Sequence, residues 1–120
     1  MAAGRPPGLT THTLDLARGR PAAGMAYRLY RIVDQRRALL TQGRTNADGR
    51  TDAPLLQGDT FRAGVYELEF DAGAYFRDAG GPAGSIWTTV PIRFEVTEED
   101  GHYHVPLLIA PGGYSTYRGS

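Results

Sequence analysis

Imidazole is the side chain best placed to exchange a proton near neutral pH, and this chain carries three of them. His12 lies in the run Leu9-Thr10-Thr11-His12-Thr13-Leu14, while His102 and His104 flank Tyr103 in His102-Tyr103-His104-Val105-Pro106-Leu107-Leu108-Ile109. In an extended strand, alternation puts Tyr103, Val105, Leu107 and Ile109 on one face, a core face by composition. His102, His104, Pro106 and Leu108 then share the opposite face, where His104 sits among apolar neighbours on a surface that something should cover. Taken singly, each imidazole is no more than a solvated group on a polar strand face. The His-x-His spacing can place two nitrogens on one metal ion, but no third ligand is signposted nearby, so no metal site is expected. Arg50 follows the turn Asn46-Ala47-Asp48-Gly49, and alone it says little. The end of the chain, Tyr114-Ser115-Thr116-Tyr117-Arg118-Gly119-Ser120, is strand-like to its last residue, without the frayed polar tail usual at termini.

Composition removes several chemistries. All 13 basic residues are Arg, so a Schiff-base lysine or lysine general base is excluded, and every cation is a permanently charged fork suited to carboxylate or imide oxygens. The absence of Cys excludes a thiol nucleophile, a disulfide and a thiolate metal site. A formal net charge of zero supplies none of the basic field that several phosphates require, which argues against nucleic acid as a partner. No apolar run approaches the span of about 20 residues that a bilayer needs, and the opening MAAGRPPGLT lacks the core of a secretory signal. A cytoplasmic protein without membrane contact is expected.

These residues have to be held by something, and the pattern around them is a period of two. Tyr66, Leu68 and Phe70 alternate with Glu67 and Glu69, and Val90, Ile92, Phe94 and Val96 alternate with Pro91, Arg93 and Glu95, so both runs read as strands with one wet face. Met25 to Val33, with Met25, Tyr27, Leu29 and Val33 on one side, pairs with Ala38 to Thr45 across the polar turn Asp34 to Arg37 as a hairpin. Turns fall at Ala17-Arg18-Gly19-Arg20-Pro21, Asn46-Ala47-Asp48-Gly49, Gly80-Gly81-Pro82, Glu99-Asp100-Gly101 and Pro111-Gly112-Gly113. Short strands punctuated in this way predict an all-β sandwich of two sheets. A single helix is expected over Ala72 to Asp78, capped by Asp71 and stopped by Gly80. A length of 120 residues suits one domain. It is read as residues 9–120, after a loose lead over residues 1–8.

The motifs together resemble one family, the transthyretin-like 5-hydroxyisourate hydrolases. The resemblance rests on Leu9-Thr10-Thr11-His12-Thr13-Leu14-Asp15 with Gly19-Arg20-Pro21-Ala22, on Asn46-Ala47-Asp48-Gly49-Arg50, and on Tyr75-Phe76. It extends to His102-Tyr103-His104-Val105-Pro106-Leu107-Leu108 and to the closing Tyr117-Arg118-Gly119-Ser120. The last two motifs are the specific ones. What the resemblance implies is a sandwich of two four-stranded sheets with one short helix, assembled as a homotetramer, a dimer of dimers with sites in the channel between dimers. It also implies His12, Arg50 and His104 as catalytic residues, with Tyr117, Arg118, Gly119 and Ser120 binding the substrate.

The reaction so implied is the opening of a ring amide of 5-hydroxyisourate, a step of urate degradation that gives 2-oxo-4-hydroxy-4-carboxy-5-ureidoimidazoline. Such a hydrolysis needs an activated water, a cation for the developing oxyanion and groups that orient the ring, but no cofactor. A neutral imidazole of the His12 and His104 pair would be the base, and Arg50 would hold the oxyanion. Two other functions use the same fold: a transthyretin-type carrier of a small molecule without catalysis, and a sandwich that only presents surfaces. Transthyretin-type carriers lack the closing Tyr-Arg-Gly-Ser and the histidine pair, and a sandwich that only presents surfaces gives no reason for two histidine runs, an arginine and an ordered chain end to coincide.

Overall fold

A computed structural model describes residues 5–79 and 85–120; the turn Gly80-Gly81-Pro82 and the helix stop expected at Gly80 lie outside the described residues. The chain forms β1 (Gly8–Asp15), β2 (Arg20–Pro21), β3 (Ala26–Val33) and β4 (Arg36–Arg44), then a 3-10 turn at Gly58–Thr60 and β5 (Gly64–Phe70). The helix α1 (Ala72–Asp78) follows, and then β6 (Val90–Val96), β7 (His102–Ala110) and β8 (Gly113–Thr116). The strands make two four-stranded sheets, ordered β2-β1-β7-β8 and β4-β3-β5-β6. This is the expected two-sheet sandwich with one short helix.

The inward faces follow the alternation. Tyr66, Leu68 and Phe70 of β5 and Leu107 and Ile109 of β7 are fully buried, and Val90, Ile92 and Val96 of β6 are nearly so. Burying side chains of this size contributes about 1.5–3 kcal/mol each, which fixes the register because a slip of one residue would turn every one of them to water. On β1 the inward residues are Leu9, Thr11, Thr13 and Asp15, so half of the core stripe is threonine. The Thr11 hydroxyl donates to the Val105 carbonyl at 2.7 Å and the Thr13 hydroxyl to the Ala22 carbonyl at 2.8 Å, which offsets the cost of burying them.

Several expectations are corrected. The hairpin turn is shorter than the polar stretch Asp34 to Arg37: β4 already starts at Arg36, and Asp34 and Gln35 both take positive φ, 51° and 64°, the handedness that two-residue hairpins demand. Val33 ends beyond the core and is 52% exposed. Asp71 occupies the N-cap of α1 but makes no capping hydrogen bond, and its carboxylate instead faces Arg28 at 3.6 Å. The wet face of β5 is only partly wet, because Glu67 is buried beneath Arg37 at 3.2 Å and Arg93 at 3.1 Å. The lead is not loose throughout: β1 begins at Gly8, whose N–H donates to the Gly101 carbonyl at 3.2 Å, and the Pro6 carbonyl lies 3.2 Å from Nδ1 of His102.

Candidate active site

The pairing that brings the histidines together is the parallel contact between β1 and β7, in which Thr10 lies opposite His104 and His12 opposite Pro106. Residues directly opposite in a sheet point to the same face. Thr10, His12, His104 and Pro106 therefore share the face of this sheet that looks away from the core. Arg50 joins them through a single bridge between its backbone and that of His12. The loop before it is shaped by Asn46, whose side-chain oxygen accepts the backbone N–H of Asp48 at 2.9 Å and of Arg50 at 3.1 Å, a turn that Asn is built to make. Gly49 then runs at φ 74° with its carbonyl accepting the Thr13 N–H at 2.8 Å, so close to β1 that a Cβ there would collide with the Thr13 carbonyl.

The other side of the site is the end of the chain. β8 pairs antiparallel with β7, Leu108 opposite Ser115 and Leu107 opposite Thr116, and the separate bridge of His104 with Gly119 keeps the same offset. The Gly119 N–H donates to the His104 carbonyl at 2.7 Å. A side chain at this position would place its Cβ 2.6 Å from Cδ2 of the His104 ring, so only glycine lets the backbone lie flat on the imidazole. The ring is held from the opposite side by the Thr10 hydroxyl, whose Oγ1 is 2.8 Å from Nδ1.

Both imidazoles are biased toward the neutral form. Burial lowers the pKa of His104, and the cationic Arg50 lowers it further, with smaller contributions from His12, His102 and Arg5. His12 is lowered by burial and by Arg50, while the carbonyl and carboxylate of Asp48 pull the other way. A lone pair is thus available for proton abstraction at neutral pH, beside a guanidinium that cannot lose its charge.

The structure gathers His12, Arg50, His104 and Gly119 into one place. Tyr117 is opposite Pro106 if the offset is carried through, and it is 56% exposed. Ser120, also exposed, follows at the rim. Arg118 departs from its expected role: its guanidinium lies 4.0 Å over the ring of Tyr103, a residue of the core face, and its Nη2 donates to the His102 carbonyl at 3.2 Å. In this arrangement it braces the chain end and does not reach toward His104. His102 stays outside the cluster, its Nε2 buried without a hydrogen-bond partner among the described residues. The sequence reading missed Thr10, because nothing local announces that β1 and β7 run parallel.

Two clefts of the described surface lie elsewhere: one between Arg20, Arg44 and α1, another between β6 and the Thr116 to Arg118 segment. Neither cleft is lined by His12, Arg50 or His104, whose histidines stand half-buried on the outer face of the sheet. Among the described residues no group of three His, Asp or Glu side chains converges to hold a metal ion. No helix among them is long and apolar enough to cross a membrane.

The sequence profile described as the HIUase/Transthyretin family matches residues 9–119. The chain belongs to the HIUase/transthyretin family. Within it, the chain is 54% identical over 114 residues to 5-hydroxyisourate hydrolase 2 of Rhizobium meliloti, an alignment covering 93% of this chain and 95% of the relative. Among solved structures, 5-hydroxyisourate hydrolase of Klebsiella pneumoniae superposes with a TM-score of 0.75 at 41% identity, covering 93% of this chain and 97% of that one. Transthyretin from Sparus aurata superposes with a TM-score of 0.86 at 30% identity, covering 96% and 97%. Backbone similarity therefore spans both branches of the family, and the two must be told apart by the side chains on the outer face of β1 and β7.

Proposed function

We propose that this chain hydrolyses 5-hydroxyisourate, opening a ring amide to give 2-oxo-4-hydroxy-4-carboxy-5-ureidoimidazoline. The observation that carries the reading is the shared face of His12, His104 and Arg50: two imidazoles poised neutral beside a fixed cation. The two hydrolases named above support the same substrate. A neutral imidazole of the pair takes a proton from water as its oxygen adds to the ring carbonyl, and Arg50 stabilises the oxyanion that forms. When the C–N bond breaks, the imidazolium returns the proton to the departing nitrogen, leaving a carboxylic acid that loses its remaining proton to solvent. Tyr117, Gly119 and Ser120 border the place where the planar substrate would lie, with Arg118 fixing their course from behind.

An open face is a poor place for this chemistry, because water would screen the guanidinium. The reading therefore includes a homotetramer, a dimer of dimers, in which this face is covered by a second copy, working in the cytoplasm without cofactor. The likeness to transthyretin sustains a second reading, a carrier that binds without turnover; an imidazole pair held neutral by burial and by an arginine has no use there. The test is the ultraviolet absorbance of freshly generated 5-hydroxyisourate. Decay accelerated by the protein, and returned to the spontaneous rate by His104→Asn, is the expected result. Decay unchanged by the wild-type protein, with the substrate bound, would establish the carrier.

A further inference from the structure

The imidazole of His104 is fixed at two edges, and only one of the contacts can dictate where its single proton resides. Gly119 lies against the Cδ2 side through its backbone, and its N–H is already committed to the His104 carbonyl at 2.7 Å. It contributes shape and no hydrogen bond to the ring. The other contact is polar: Oγ1 of Thr10 is 2.8 Å from Nδ1, across a strand pair whose members are 94 residues apart. Thr10 is half-buried and opposite His104 in the register, so its side chain is held in place by the sheet. With Nδ1 taken by Thr10 and Cδ2 by Gly119, the ring nitrogen left for the site is Nε2.

A hydroxyl can donate or accept, and the two choices have opposite consequences. If Thr10 donated to Nδ1, the proton of the neutral ring would sit on Nε2, the atom facing the site would carry no lone pair, and His104 could not deprotonate water. If Thr10 accepts from Nδ1–H, the lone pair is on Nε2. The second arrangement also survives turnover. Once Nε2 has taken a proton both ring nitrogens are donors, and an accepting Thr10 keeps its hydrogen bond, whereas a donating one would have to rotate away at the moment charge appears. We infer that Thr10 is a positioning residue that accepts the Nδ1 proton of His104 and so sets the tautomer whose Nε2 acts as the general base. The inference rests on the hydrolase reading above and assigns the base within the pair.

The experiment compares wild type, Thr10→Val, Thr10→Ser and His104→Asn, each checked for an unchanged melting temperature. It uses two readouts: steady-state kinetics with pH, and nitrogen NMR of the histidine rings in the resting protein. The expected result is a wild-type His104 protonated at Nδ1, a Thr10→Val protein with kcat lowered roughly 10- to 100-fold and KM within about twofold, and a Thr10→Ser protein restored to within about threefold. In Thr10→Val the NMR signal should shift toward the Nε2–H form. A wild-type ring protonated at Nε2 would overturn the inference, as would an unaltered kcat in Thr10→Val alongside an inactive His104→Asn, which would leave the site itself standing. Full activity in both Thr10→Val and His104→Asn would instead remove the site reading on which the inference depends.

Discussion

At the scale of single residues, the site is governed by one cation and two imidazoles whose charge is suppressed first by burial and then by that cation. His12→Asn, His104→Asn and Arg50→Ala should each reduce turnover by about two to four orders of magnitude with little change in melting temperature. The double variant should cost less than the sum, because the groups act as a unit. The pH dependence has a definite sign. Both histidines titrate below the ordinary 6.5, so the acid limb of kcat/KM should lie below that pH, and Arg50→Ala should move it upward as the repulsion disappears. Stability follows the same linkage: the unfolded chain binds protons first as pH falls through 6.5, so stability present above that pH is lost progressively toward the folded-state values. Gly119→Ala tests the shape of the site, since its Cβ would press on Cδ2 of His104 at 2.6 Å. Its cost should appear in kcat more than in melting temperature. Much of this was legible in the sequence. Alternation alone put His104 on the face opposite Tyr103, Val105, Leu107 and Ile109, whereas Thr10 was invisible because its partner is set by strand pairing and not by spacing along the chain.

The elements hold the site through a few polar locks. The hydroxyl of buried Tyr103 accepts the backbone N–H groups of Thr97 and Glu98, each at 3.1 Å, which ties the turn between β6 and β7 to the start of the histidine strand. Tyr103→Phe strands both donors at a cost of about 1–3 kcal/mol. Thermal unfolding should move down by about 4 °C per kcal/mol in a domain of this size. On the helix, the Tyr75 hydroxyl donates to Asp15 at 2.7 Å, and burial with that hydrogen bond pushes its pKa up to about 12, so α1 is fastened to the end of β1. Strand positions were readable wherever apolar residues alternate, as in β5 and β6. They were less readable where the pattern is blurred. Thr11 and Thr13 look like surface residues and are core, because backbone carbonyls satisfy them. Val33 looks like core and is exposed, because it closes the hairpin opposite Arg36, one residue past the last pair that β3 makes with β5. Asp71 looks like a helix cap, but an arginine on the neighbouring strand offers it a stronger partner.

For the molecule as a whole, the open face decides the most. Thr10, His12, His104 and Leu108 are half-buried, so catalytic groups and an apolar side chain meet water together on this face, an arrangement that monomers seldom keep. Sedimentation should therefore give a species four times the mass of the chain, and dilution that dissociates it should abolish activity in parallel. A fully active monomer would show that the site needs no cover. A tag appended after Ser120 should lower kcat at unchanged melting temperature, because Gly119 packs directly on the His104 ring.

The parallel pairing of β1 with β7 has a consequence for biosynthesis. Its partners are 94 residues apart, and the backbone that seats His104 comes later still, at Gly119. Such distant pairings form late, since the chain must close a long loop before any contact rewards it. A nascent chain can emerge from the ribosome with β3, β4 and β5 already able to pair, yet it holds no competent site until the last strand is free. Premature termination anywhere before Gly119 should thus yield protein without activity, so a working site certifies that translation passed the codon for Gly119.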